Sequence, residues 1–219
     1  MSAKYTPWID GIAALVARKR VAPRLSVLLA VAPLLLLWPD LRHFVESRMA
    51  LHMLLEFPLL MASGWCLRRW WLRRRPAQGG AGRLERLLDW RGWTGATFVT
   101  VVTVVWMVPS MLDAALLSLP VAAFKYLSWW LAGWLLAASW YRMDAEVLLF
   151  FAGNLAWMMA TAGLLYLEAP AQLCVSYLQD DQQHAGLGLV VLAVAAGGLA
   201  LRQMMRSGEE AGAEGLIGH

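Results

Sequence analysis

At 219 residues, 60% hydrophobic and 16% charged, with 13 tryptophans, the chain lies outside the composition of a soluble domain and inside that of a polytopic membrane protein. Its net charge of +4 and pI of about 9.4 come from arginines gathered in a few stretches. Such clusters orient a chain in a bilayer and meet anionic headgroups, so nucleic acid is not needed to explain them. The expected class is all-α: a polytopic integral membrane helical bundle.

In chain order, residues 1–21 form an amphipathic cytoplasmic segment, with Trp8, Ile9, Ile12, Leu15 and Val16 at helical spacing before Arg18, Lys19 and Arg20. It does not read as a cleavable signal, because Asp10 interrupts the apolar run and the charges follow it. Residues 22–206 hold about six windows of the roughly 20 apolar residues that a 30 Å hydrocarbon layer demands. They run over 22–38, 49–67, 95–111, 119–140, 147–167 and 185–204. The glycine-rich acidic residues 207–219 are expected as a disordered polar tail.

Lysine and arginine favour the cytoplasmic side. The connection after the second window carries Arg68, Arg69, Arg73, Arg74, Arg75, Arg83, Arg86 and Arg91, and Arg142, Arg202 and Arg206 fall on the same side. Both termini are then cytoplasmic in a multi-pass membrane protein. The outer side is built from three loops: 39–48, the short turn 109–120, and 168–184. Asp40, His43, Glu46, Met49, His52, Met53, Met111, Asp113, Cys174, Asp180, Asp181 and His184 gather there, while Cys66 lies near the cytoplasmic edge.

Three polar groups interrupt this apolar plan. In SRMALHMLLEFPLL, His52 and Glu56 share a helix face at i, i+4, with Met49 and Met53 beside them. Imidazole and thioether together suit copper, and ionisable groups in a spanning helix point into the bundle. The plainer reading, which carries more weight, has His52 and Glu56 satisfying one another or nearby backbone while the methionines fill gaps. In LQDDQQHAGLG, Asp180, Asp181, Gln182, Gln183 and His184 precede the last window. One acidic residue suffices to cap a helix, so the surplus supplies either ligands or ties between the outer loops. Lys125, a turn or two inside the fourth window, either snorkels outward or pairs with Asp113 or Glu56, and pairing is preferred.

The segments HMLLEFPLL, MLDAALLSLP, KYLSWWLAGWLLAASW and YLQDDQQHAGLGLV resemble the CtaG-like membrane proteins linked to assembly of caa-type cytochrome c oxidase. The resemblance covers residues 41–202, with DDQQHAG its most specific part and His52, Asp181, Gln182 and Gly186 the family-matching positions. It implies a non-enzymatic membrane assembly factor that assists copper delivery or insertion at the outer face of cytochrome c oxidase or another membrane respiratory complex. The ligands would be His52, His184, Met53, Met49 and Asp181, with His43 as a further candidate. Glu56, Asp113, Lys125 and Asp180 stand as structural positions. Where the family carries more central histidines this chain has Glu56 and Phe124-Lys125-Tyr126. An alternative therefore stands beside the first reading: a non-catalytic accessory or scaffold subunit that has lost metal binding.

Overall fold

The computed structural model describes residues 28–74, 89 and 92–217, apart from 29, 34, 37, 172 and 174–176. The expected amphipathic segment 1–21, most of the first window, the loop at 75–88, Cys174 and His219 lie outside the described residues. The regular structure among the described residues is helical, with no strand among them.

Helix α1 spans Pro39–Glu46. Helix α2 is continuous from Met49 to Arg74 and contains a π-helical turn over His52–Glu56. Helix α3 covers Trp93–Trp106, α4 Pro109–Leu117, α5 Leu119–Ser139, α6 Ala145–Glu168 and α7 Gln179–Ile217. Four of these (α2, α5, α6 and α7) contain stretches long and apolar enough to cross a membrane, and α3 with α4 makes a fifth if the bent pair is one span. A sixth crossing would have to come from 22–38, of which only the outer part is described.

Two of the expected outer loops are helices. Segment 39–48 contains α1, and the expected short turn 109–120 contains α4. Proline explains both. The residue before a proline is driven out of the helical region, and proline itself fits the first helical turn. Trp38 and Val108 are accordingly extended (ψ 120° and 122°), and a new helix starts at Pro39 and at Pro109. The third window is therefore not straight. Helix α3 has 14 residues, roughly 21 Å at 1.5 Å per residue, and the chain bends by 78° into α4. At the other end of the molecule the backbone stays helical to Ile217, through most of the segment whose composition suggests a disordered tail.

Close backbone approach fixes the helix pairs, as expected in lipid, where small residues let helices touch. A Cβ on Gly64 would lie 2.0 Å from the Trp130 carbonyl oxygen, and one on Gly133 1.8 Å from that of Met61, so α2 and α5 cross in direct contact. Gly163 and Gly186 do the same for α6 and α7, each Cβ meeting the other's carbonyl oxygen at 2.7 Å. The hydroxyls of Ser63, Thr100, Thr103 and Thr161 donate to carbonyls of their own helices, and the Trp106 indole donates to Ser128 at 2.9 Å. Polar groups in an apolar setting are thus satisfied locally.

The two ends differ in character. Arg68 stacks on Trp134, and Arg142 pairs with Asp89 at 3.1 Å at the end carrying the basic clusters. The opposite end, where α1 and the start of α7 meet the start of α2, carries the acidic and histidine residues.

Candidate functional site

At that second end, a lysine is buried among three acceptors. Lys125 is fully buried one and a half turns into α5, and its ammonium lies 2.8 Å from Glu46 Oε1, 2.7 Å from Glu56 Oε1 and 3.0 Å from His52 Nε2. The Glu46 and His52 contacts are hydrogen bonds, and that to Glu56 is an ion pair. An ammonium donates and cannot accept, so His52 Nε2 is an acceptor and its proton sits on Nδ1. The Nδ1–H then donates to the Tyr177 hydroxyl. His52 is consequently neutral and engaged at both ring nitrogens.

Each element contributes for a local reason. The π turn widens α2 just where His52, Met53 and Glu56 all face inward and are buried. Such turns hold one extra residue and are frequent at functional positions. Helix α1 brings Glu46 over the top, and Tyr177 comes from the connection before α7. The Tyr126 hydroxyl donates to Glu46 Oε1 at 3.3 Å, and its ring lies 4.7 Å from Lys125 Nζ and 5.8 Å from the Arg42 guanidinium. Arg42 binds Glu46 Oε2 at 2.8 Å, one turn away on α1. Burial works against the Arg42 charge, but the hydrogen bond and field of Glu46 outweigh it and hold the guanidinium above its ordinary value. Below the cluster, Phe57 meets His52 edge-on and stacks on Trp129, sealing it from the apolar interior.

Charges alternate inward along this chain of contacts: Arg42, Glu46, Lys125, Glu56. Two cations balance two carboxylates, which is what a low-dielectric setting requires. Glu56 Oε2 has no hydrogen-bond partner among the described residues and lies 3.8 Å from His52 Nε2.

The remaining sequence candidates lie elsewhere. Met49 is buried in the core, and its backbone N–H donates to Asp181 Oδ2 at 3.0 Å, which joins the start of α2 to the start of α7. Met53 lines an apolar crevice of about 150 Å³ with Met61, Met107 and Met159. Gln182 is a tie: its Oε1 accepts from the Leu173 N–H at 2.9 Å and its Nε2 donates to the Tyr166 carbonyl at 3.1 Å. Gly186 permits the α6–α7 contact described above. Asp113 is half-buried on α4, and the acidic partners of Lys125 include Glu46 and Glu56. His43 is exposed, and so is His184, whose Nδ1 donates to the Asp180 carbonyl at 2.7 Å. His184 opens onto an outer cavity of about 480 Å³ lined also by Ser47, Arg48, Asp180 and Asp181.

His52 and His184 therefore line different spaces, one sealed and one open. The fit to copper is poor on positive grounds: an ammonium already stands at His52 Nε2, a tyrosine at Nδ1, and the guanidinium-bearing Arg48 lines the His184 cavity. Among the described residues no group of three histidine, cysteine or acidic side chains is arranged to hold a metal. Arg42 and Tyr177 were not marked by the sequence; Glu46 was placed on the outer face and Tyr126 noted beside Lys125, neither as a site residue, and the i, i+4 spacing of Arg42 and Glu46 was a further hint. Compared with protein-family models, with curated proteins and with solved structures, the chain gives no match in any of the three.

Proposed function

We propose that the chain is a non-catalytic integral membrane factor of the bacterial inner membrane, serving as an assembly or accessory subunit on cytochrome c oxidase or another respiratory complex without itself carrying copper. The observation that carries this reading is Lys125. Its ammonium sits where a cargo ion would have to reach His52, and Glu46 and Glu56 hold it there. The HMLLEFPLL and DDQQHAG resemblance supports the respiratory setting. The apolar helices support the membrane setting, and the engaged state of His52, Asp181 and Gln182 supports a scaffold over a transfer site.

The test is purification in mild detergent from native membranes, with copper measured per chain in the wild type and in a His52→Ala, His184→Ala variant. Expected is a co-purifying respiratory complex that survives the double substitution, with no copper that depends on either histidine. Stoichiometric copper that disappears in the variant overturns the scaffold reading and restores copper delivery.

A further inference from the structure

The apolar crevice beside Met53 is bounded by the Phe57–Trp129 stack, and helices α2, α3, α5, α6 and α7 all contribute to its wall. Its volume is about 150 Å³, no charged side chain lines it, and the Thr103 hydroxyl is already given to the Val99 carbonyl at 2.8 Å. An apolar space of this size stays dry and accepts apolar guests such as xenon or benzene. Ionic ligands are thereby excluded.

The crevice has a mouth. Helix α7 packs on the outer end of α2, where a Cβ on Gly188 would lie 2.2 Å from a Leu54 methyl group. One turn further along each helix, Pro58 and Leu192 line the crevice and are exposed, whereas Val99, Thr103 and Trp129 on its other walls are buried. Pro58 stands nine residues after Met49, roughly 14 Å along the helix and so near the middle of a 30 Å hydrocarbon layer. We infer that this crevice binds the end of an acyl chain of a bilayer phospholipid, admitted sideways between α2 and α7.

Depth favours that occupant, because the middle of a bilayer holds chain ends and no headgroups. The hydrophobic effect does not drive entry, since lipid tails are as apolar as leucine. The gain is dispersion: walls facing an empty crevice lack partner atoms on one side, and a chain supplies them. Met53, Met61, Met107 and Met159 suit an irregular guest, because flexible thioether side chains re-pack around what they meet. The inference uses the membrane setting of the proposed function and no respiratory partner.

In the experiment, the purified full chain is reconstituted into phosphatidylcholine vesicles doped with a phosphatidylcholine carrying a diazirine at the end of one acyl chain. After illumination, adducts are mapped by mass spectrometry. Lipid that only surrounds the bundle labels outward-facing residues such as Leu187 and Val194. Expected in addition are adducts at the buried residues Met53, Val99 or Thr103. Leu192→Trp sets a large ring at the mouth and should abolish these deep adducts while leaving those at Val194; Leu192→Ala should retain both. Labelling confined to outward-facing residues overturns the inference, as do deep adducts that Leu192→Trp leaves unchanged or that Leu192→Ala also removes. Absence of adducts at both Pro58 and Leu192 overturns it too, because another protein segment then covers the mouth. The wild-type and Leu192→Ala results decide the matter even where Leu192→Trp is not recovered folded. The vesicles contain no respiratory complex, so this test and the co-purification test fail separately.

Discussion

A lysine inside an apolar bundle is stable only while its acceptors remain. Removing one partner of a buried ion pair leaves an uncompensated charge and costs about 3–5 kcal/mol. Lys125→Met is expected to lose about that much in denaturant unfolding, and Glu56→Gln a comparable share. The double variant Lys125→Met, Glu56→Gln should lose clearly less than the sum, because residues in one network are not additive; strict additivity would mean the pair is not coupled. Tyr177→Phe removes the acceptor of the His52 Nδ1–H and leaves that buried donor unpaired, for a loss of about 1–3 kcal/mol. His52, Glu56 and Lys125 were legible in the sequence, since any ionisable side chain inside an apolar window stands out. Glu46, Arg42, Tyr126 and Tyr177 were not. Arg42, Glu46 and Tyr177 are ordinary residues in segments that read as outer loops, a tyrosine such as Tyr126 is ordinary in an apolar window, and nothing in one dimension says that α1 folds back over α5.

At the scale of elements, glycines separate into those that are touched and those that are not. Gly133→Ala would drive a methyl group into the Met61 carbonyl, and such overpacking costs about 1–3 kcal/mol or more. Gly198 has nothing within 4 Å of an added Cβ, so Gly198→Ala should leave the melting temperature unchanged or slightly raised. Equal effects at the two positions would contradict the α2–α5 crossing. Helices α2, α5, α6 and α7 begin within a few residues of their apolar windows, apart from α7, which starts at Gln179, six residues before its window. The third window failed for a readable reason. Its hydropathy continues past Trp106, but Pro109 forces Val108 out of the helix, and hydropathy carries no record of direction.

For the whole molecule, the crossings alternate: α2 runs toward the arginine end, α3 away from it, α5 toward it, α6 away and α7 back. A cysteine at Leu178 should accordingly react with a membrane-impermeant thiol reagent from outside intact cells, and one at Arg202 only after the membrane is opened. Cys66 and Cys174 are replaced by serine in both. Reaction of both sites from the same side would break the alternation and the orientation drawn from the arginines.

The widened turn at His52–Glu56 has a consequence for chain length as well as for side chains. One residue more than a regular helix needs is absorbed there, and each residue advances a helix by about 100°. The turn thereby sets the phase between two halves of α2 with different tasks: His52 must face Lys125, and Gly64 must face Trp130. Deleting one residue from 53–55 would leave each half intact yet allow only one of them to keep its partner. A shortened helix of unchanged composition should lose either the ion cluster or the crossing with α5, while a conservative substitution such as Leu54→Met should keep both. The length of this turn, more than the identity of its apolar residues, holds the two contacts in step.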